Sequence, residues 1–219
     1  MKKKRIKIKD GEKLIDVSWY YFYPEFWELF DSLDKDAKIL DVGCGKAAVS
    51  SKLVEKGFKN LTLMDIEDLR LFERSKQLPF IQINLSHDKL PFADNSVDFV
   101  IATEVMEHLG NPWYFAKEIH RVLKPGGKLI LSMPNPWNIV SRLLFLRRGM
   151  LECYGYHHPQ HAWAPNKELF ELVTKDFRLI KKFYYQREKL YFFGICFKIK
   201  LPRTEFWGSH VCNFFEKPK

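Results

Sequence analysis

A short glycine-containing stretch, ILDVGCGKAA at residues 39–48, holds residue types suited to binding a nucleotide-like ligand. Gly43 and Gly45 lack a Cβ atom, so the backbone can turn tightly there and approach a ligand closely. The letters GCGKAA match the pattern G-x-G-x-x-[GA], and Asp65 follows Gly45 by twenty residues. A carboxylate at that position can accept hydrogen bonds from both hydroxyls of a ribose. The spacing alone fits several kinds of nucleotide-binding fold.

The charge beside the first glycine separates two classes of ligand. Asp41 lies two residues before Gly43. In a dinucleotide-binding fold a pyrophosphate approaches this turn, and a nearby carboxylate would repel it. S-adenosylmethionine carries an ammonium and a sulfonium, which a carboxylate would attract instead. Asp41 therefore favours S-adenosylmethionine over NAD, while an alternative interpretation keeps this carboxylate as a cap for the following turn.

Strands and helices alternate along the chain around these residues. Apolar runs predict five strands, at residues 38–42, 60–65, 79–84, 97–103 and 128–133. Helical patterns lie between them, at residues 47–56, at 67–77, and from Asn111 to the KPGG stop at 124–127. Beyond residue 135 the sequence predicts helices at 140–148 and 165–175, and strands at 177–186 and 208–216. This alternation predicts a Rossmann-like, doubly wound α/β fold with a mostly parallel sheet covered on both faces.

Four motifs occur in order: ILDVGCG, LTLMD, LPFADNSVDFVIATEVMEHL and RVLKPGGKLILSMPN. Together they resemble the class I S-adenosylmethionine-dependent methyltransferases, and most of all the group that includes the ubiquinone and menaquinone methyltransferases. The similarity covers residues 37–135. It implies a seven-stranded sheet whose last strand runs antiparallel to the others. It also implies a cytoplasmic enzyme that uses S-adenosylmethionine and releases S-adenosylhomocysteine.

The resemblance further assigns cofactor contacts to particular residues. It places ten residues around the cofactor: Asp41, Gly43, Cys44, Gly45, Asp65, Ile66, Asn84, Leu85, Thr103 and Glu104. Asp41 and the glycine turn would surround the methionine moiety. Asp65 would bind the ribose, and Ile66 would flank the adenine. Two positions depart from the family pattern. Ala47 replaces a third glycine, and Asn84 replaces an aspartate that often bonds the adenine amino group, although its amide oxygen can still accept that bond.

Histidines supply the candidate bases for an acceptor hydroxyl. His157, His158 and His161 lie within five residues, and a histidine titrates near neutral pH. His161 is the first choice among them. Because these three lack accompanying carboxylates, the sequence does not favour a metal site. Glu107 and His108 match an E-H pair of the family, which we interpret as positioning the loop above the cofactor rather than as a base.

Three segments outside the cofactor core combine aromatic and basic residues, at 18–30, 142–163 and 187–203. In the fold that the resemblance implies, these segments cover the acceptor. Their composition predicts a small or amphiphilic metabolite with a flat or aliphatic body and an anionic group, methylated on oxygen. Stacked bases above a phosphate groove are the alternative.

We interpret residues 1–219 as a single domain in four parts. These are an N-terminal helical and basic lid segment at 1–36, the cofactor core at 37–135, an acceptor-lid insertion at 136–164, and a C-terminal helix and strand hairpin at 165–219. The net charge of +9 is concentrated near the N-terminus and at residues 181–203. Such a distribution suits contact with nucleic acid or with an anionic membrane surface.

The four cysteines lie far apart without a CxxC pair, which disfavours a zinc site or a disulfide framework and fits a reducing compartment. No apolar run follows the charged start MKKKRIKIK, so the sequence predicts no secretory signal peptide.

Three alternative functions stay open: an RNA methyltransferase, an NAD-dependent oxidoreductase, and a non-catalytic methyltransferase-like binding module. The charge motivates the first of these, and Asp41 opposes the second. The sequence does not predict an oligomeric state.

Overall fold

The computed structural model describes residues 6–10, 13–17, 23–151, 160–164, 166–185, 189–192, 195–198 and 201–219. An antiparallel hairpin, β1 (Ile6–Asp10) and β2 (Lys13–Val17), comes first. The strands that follow are β3 (Ile39–Val42), β4 (Leu61–Asp65), β5 (Phe80–Gln82), β6 (Val97–Thr103), β7 (Leu123–Pro134), β8 (Arg178–Tyr185), β9 (Lys189–Phe192), β10 (Ile195–Lys198) and β11 (His210–Glu216). Strands β9 and β10 pair with each other, and the other seven form the central sheet.

The central sheet has the strand order β5-β4-β3-β6-β7-β11-β8. Neighbouring strands from β5 to β7 run parallel, whereas β11 runs antiparallel to both β7 and β8. The predicted fold class is therefore confirmed, including the antiparallel last strand. Because β3 lies between β4 and β6, the carboxyl ends of these three strands meet at one edge of the sheet. Open parallel sheets bind their ligands at such an edge.

Six α-helices lie among the described residues. They are α1 (Pro24–Trp27), α2 (Ala48–Glu55), α3 (Glu73–Lys76), α4 (Pro112–Val122), α5 (Ile139–Arg148) and α6 (Lys167–Val173). An asparagine caps each of the last three, since the side-chain oxygens of Asn111, Asn138 and Asn166 accept a hydrogen bond from a backbone N–H inside the helix. These caps set the start of each helix within a few residues of the sequence prediction.

Apolar side chains bury both faces of the central sheet. Leu40, Val42 and Val100 belong to a cluster on one face, and Ile39 and Phe99 to a cluster on the other. Successive residues of a strand point to opposite faces, so this division shows that the central strands are covered on two sides. The sheet edge that carries the strand ends is thus held by a core on both faces.

Two sequence predictions about local structure are wrong. The helix predicted at 67–77 comprises only its last turn, α3. The Arg70 guanidinium donates to the carbonyls of Ser75 and Leu78 and to the Asp68 carboxylate, so side-chain bonds hold the preceding segment in a non-helical form. The segment 1–36 was predicted to be helical, but its described residues form the β1–β2 hairpin, the single turn α1 and the 3-10 turn Glu28–Phe30.

Among the residues that the structure describes, no helix is long and apolar enough to cross a membrane.

Candidate cofactor and active site

The glycine turn after β3 is held against the neighbouring strand. The backbone N–H groups of Gly43 and Cys44 both donate to the Met64 carbonyl, at 2.7 and 3.1 Å. Gly43 has a φ of +69°, and a Cβ atom placed there would lie 2.3 Å from Cγ2 of Val105. Val105 follows β6, so this contact packs the turn after β3 directly on the turn after β6. Only a glycine fits at position 43 without moving Val105.

Asp65, at the carboxyl end of β4, organises the same turn from the other side. Its Oδ2 accepts from the Gly45 N–H at 2.8 Å, and its Oδ1 accepts from the Ile66 N–H at 2.7 Å. Each carboxylate oxygen keeps a further lone pair for a ligand hydroxyl. A Cβ built on Gly45 would meet nothing within 4 Å, so this side of the turn is open. The apolar side chain of Ile66 is 62% exposed beside it.

Asp41 lies inside the molecule, close to Asp65. It is 2% exposed, and the Ser50 hydroxyl on α2 donates to its Oδ2 at 2.5 Å. Burial, helped by the nearby charge of Asp65, raises the pKa of Asp41 to about 6 even though hydrogen bonds from Ser50 act in the opposite direction. A positive neighbour would stabilise the ionised form of this buried carboxylate beyond what the bond from Ser50 provides. The site therefore favours a ligand with a cationic group near Asp41.

Cys44 presents its backbone rather than a reactive thiol. Burial raises the pKa of the Cys44 thiol, and the carboxylates of Asp41 and Asp65 raise it further. The thiol is therefore neutral and a poor nucleophile at neutral pH.

The turn after β5 positions Asn84 and Leu85. The Asn84 side-chain oxygen accepts from the Ser86 N–H at 3.0 Å, and the backbone N–H of Asn84 donates to Asp88. This oxygen, expected to accept from the adenine amino group, thus already caps the local turn, and only its second lone pair is left for a ligand. Leu85 is buried in the apolar cluster that contains Leu40.

Glu104 follows β6 in a left-handed conformation, with φ +57°. Its N–H donates to the Ser132 carbonyl, and its carboxylate accepts from the Ser132 hydroxyl at 2.8 Å. The other oxygen lies 3.3 Å from Nε2 of His210. Thr103, the last residue of β6, is buried and pairs with Ser132 across the sheet. These contacts join the ends of β6, β7 and β11 around one carboxylate.

His161 lies beside the E-H pair rather than apart from it. The rings of His108 and His161 meet edge to face with centroids 4.7 Å apart. One ligand atom from each of Glu107, His108 and His161 lies within 4.8 Å of the others. Burial raises the pKa of the Glu107 carboxyl well above its usual range, and the neighbouring Glu104 charge adds to this. The other two predicted bases, His157 and His158, lie outside the described residues.

Sequence reasoning missed three residues that complete the site. Ser50 on α2 holds Asp41 in place, and Ser132 and His210, from other strands, hold Glu104. No local spacing signals these pairs, because they arise from the order of the strands. The proximity of Glu107 to His161 was missed for the same reason.

Comparisons with known proteins agree with this geometry. The profile of the methyltransferase domain family matches residues 40–131. The mitochondrial arginine-hydroxylase NDUFAF5 of Danio rerio is 32% identical over 136 residues, which cover 62% of this chain and 40% of that protein. The ubiquinone biosynthesis O-methyltransferase of Idiomarina loihiensis is 34% identical over 116 residues, which cover 49% of this chain and 46% of that protein.

This chain thus spans less than half the length of these two relatives. A crystal structure of a SAM-dependent methyltransferase from Archaeoglobus fulgidus shares the fold, with a TM-score of 0.63 and 16% identity, over 88% of this chain and 90% of that one. The matched family and the fold agree with the arrangement of the turn after β3 and the carboxylate after β4. Residues 40–131 thus match the methyltransferase domain family, and together with the shared fold this match supports a class I S-adenosylmethionine-dependent methyltransferase.

Proposed function

We propose that the chain transfers a methyl group from S-adenosylmethionine to a small or amphiphilic acceptor. The observation that carries this proposal is the meeting of buried Asp41, the open side of Gly45 and Asp65 at neighbouring strand ends. The cofactor ammonium would stabilise ionised Asp41, the ribose would meet Asp65, and the adenine would cover exposed Ile66. When bound, the cofactor supplies an electrophilic methyl group, and these residues hold it in place. A pyrophosphate would face two carboxylates here, so NAD fits less well.

The affinity for the cofactor should rise with pH up to the pKa of Asp41. Burial raises that pKa to about 6 in the free protein, and a bound ammonium favours the ionised form. Below pH 6 binding must first remove a proton, so affinity for S-adenosylhomocysteine should fall about tenfold per pH unit. Calorimetric titration at several values between pH 5 and pH 8 measures this slope. An Asp41→Asn variant should bind weakly with little pH dependence, whereas a flat profile in the unmodified protein would contradict the assignment.

The surface around the acceptor-lid insertion supports an amphiphilic acceptor. On α5, Leu143, Phe145 and Leu146 are 53, 56 and 83% exposed, and Arg147 and Arg148 follow them. Apolar side chains beside cations suit an aliphatic or flat body with an anionic group, and equally peripheral contact with an anionic membrane surface. One relative is an O-methyltransferase of ubiquinone biosynthesis, which supports oxygen as the methylated atom. A cytoplasmic location is part of the same proposal.

A cavity of about 390 Å³ suits the flat body of such an acceptor, because the aromatic rings of Tyr23, Phe183 and Tyr184 line it. Its two cations, Lys182 and Arg203, are matched by the carboxylates of Glu25 and Glu205, so the cavity itself does not select an anionic group. The Arg203 guanidinium lies over the Tyr23 ring, 4.9 Å from its centroid. The cavity lies on the β8 side of the sheet, whereas the glycine turn lies on the β3 side, so we assign the cofactor to the turn.

His161 is proposed as the group that activates the acceptor hydroxyl, with His157 and His158 as further candidates. We expect His161→Ala to lower kcat by at least about a hundredfold, because removing a positioned base costs that much. Its affinity for S-adenosylhomocysteine should be unchanged. Methyl transfer from labelled S-adenosylmethionine to a panel of phenols, quinols and hydroxylated lipids measures kcat. His87→Ala, which removes an exposed histidine from another loop, is the matched control and should keep full activity.

Alternative functions give different results in the same assay. Methyl transfer to RNA would appear with RNA in the panel, with an affinity that falls steeply as salt rises. Hydroxylation, the reaction in the name of the Danio rerio relative, would add a different mass to the product. A non-catalytic module would bind S-adenosylhomocysteine and modify nothing. Absence of adenosyl binding would overturn the proposed function itself.

A further inference from the structure

Two histidines and one carboxylate converge at the turn after β6. Glu107 and His108 belong to the 3-10 turn Met106–His108, and His161 comes from the insertion after β7. A ligand atom of each lies within 4.8 Å of the other two. From this geometry we propose that Glu107, His108 and His161 form a binding site for a divalent transition-metal ion.

The Glu107 carboxylate supports a cation at this point. Its side chain is almost completely buried, with 1% of the residue exposed, and its Oε2 has no hydrogen-bond partner. A buried carboxylate without a partner is costly, and Glu104 places a second negative charge nearby. A divalent ion would offset both effects at once.

Backbone contacts fix the ligands from both sides. The Nδ1 atom of His108 lies 3.1 Å from the Gln160 carbonyl oxygen, which can only accept, so Nδ1 carries the proton. Its Nε2 is therefore the nitrogen that faces away from this bond and is left to bind a metal. The Trp163 N–H donates to the Glu107 carbonyl at 3.1 Å. These two bonds hold the segment that carries His161 against the turn that carries the other two ligands.

The donor set selects the kind of ion. Two imidazoles and a carboxylate favour Zn²⁺, Mn²⁺, Fe²⁺ or Co²⁺ over Mg²⁺ and Ca²⁺, which prefer oxygen ligands alone. Three protein ligands leave positions for water or for an acceptor oxygen. The site is thus an open one, of the kind that can bind substrate.

A role of this ion in catalysis rests on the proposed function, methyl transfer from S-adenosylmethionine. An acceptor with two adjacent oxygens, such as a catechol or a vicinal diol, could bind the ion and lose its hydroxyl proton to solvent. The oxygen then forms a bond to the methyl carbon as the carbon–sulfur bond breaks, and neutral S-adenosylhomocysteine leaves. In this arrangement His161 acts as a ligand, and the ion takes over the part of a base.

Metal binding can be measured without acceptor or cofactor, so its failure is distinct from failure of methyl transfer. Tag-free, metal-stripped protein is titrated calorimetrically with Zn²⁺, Mn²⁺ and Mg²⁺, and with Co²⁺ while its visible absorption is recorded. We expect one transition-metal ion per chain, bound more tightly than Mg²⁺. His108→Ala, His161→Ala and Glu107→Gln should each weaken binding by about a hundredfold.

Two controls make the result decisive. His87→Ala, which removes an exposed histidine outside the cluster, should leave metal affinity unchanged. Circular dichroism and the Tm of each cluster variant show whether the variant is folded, independently of cofactor binding. The proposal is overturned if the unmodified protein binds no transition-metal ion, or if a folded His161→Ala variant binds as tightly as the unmodified protein.

Discussion

Asp65→Ala should weaken affinity for S-adenosylhomocysteine by at least about a hundredfold, the largest loss we expect from any single side chain. The two Asp65 oxygens would accept both ribose hydroxyls, and charge-assisted bonds of this kind contribute about 1.5–3 kcal/mol each. The same oxygens also hold the N–H groups of Gly45 and Ile66, so the variant loosens the turn as well. Calorimetric titration measures the loss directly.

Two further variants separate the ligand contact from the support of the turn. Asp65→Asn keeps one acceptor oxygen and the shape of the side chain, so its affinity should lie between those of the unmodified protein and Asp65→Ala. Asp68→Ala removes the same charge three residues later, where the carboxylate is exposed and pairs with Arg70, and it should bind normally. If Asp65→Ala bound the ligand as tightly as Asp68→Ala, the ribose assignment would be wrong.

The sequence predicted the sheet well because apolar strands and glycine turns are local signals. Val97–Thr103 was predicted at its observed bounds, and Asn111 caps α4 as expected. The N-terminal hairpin was missed although IKIK alternates apolar and charged residues, as strands do, because its charge suggested an exposed basic segment instead. The helix at 67–77 was not predicted correctly because the Arg70 guanidinium bonds the Ser75 and Leu78 carbonyls and the Asp68 carboxylate, and these bonds hold the chain before α3 in a non-helical form.

The same distinction between local signals and tertiary contacts applies to the candidate site. Gly43, Asp41 and Asp65 could be predicted because their spacing along the chain is itself the motif. The partners of these residues could not, since Ser50 reaches Asp41 only after α2 packs on β3. Likewise His161 meets Glu107 only because the insertion after β7 lies across the turn after β6. Tertiary contacts of this kind leave no periodic trace in a single sequence.

One contact links the two halves of the site, which are the cofactor turn after β3 and the proposed metal ligands after β6. Val105 packs on Gly43 and immediately precedes the turn that carries Glu107 and His108. Any change that moves Val105 should therefore disturb the cofactor turn and the proposed metal ligands together.

Gly43→Ala tests that link and should be the most destabilising of the substitutions considered. The new Cβ would lie 2.3 Å from Cγ2 of Val105, and the φ of +69° is strained for any residue with a side chain. Overpacking and left-handed strain together cost about 3 kcal/mol, which for a chain of this size lowers the Tm by about 10 °C. Cofactor affinity should fall together with the stability, because the turn must shift away from Val105.

Gly45→Ala is the matched control, because its φ of +49° carries the strain without the clash. It should cost only about 1 kcal/mol.

Adding Val105→Ala to Gly43→Ala removes the clashing methyl groups, so the double variant should be more stable than the two single effects predict, by about 1–2 kcal/mol. Thermal unfolding of the unmodified protein, Gly43→Ala, Val105→Ala and the double variant completes this double-mutant cycle. Equal stability of Gly43→Ala and Gly45→Ala would show that Val105 does not hold the turn, and that the two halves of the site are independent.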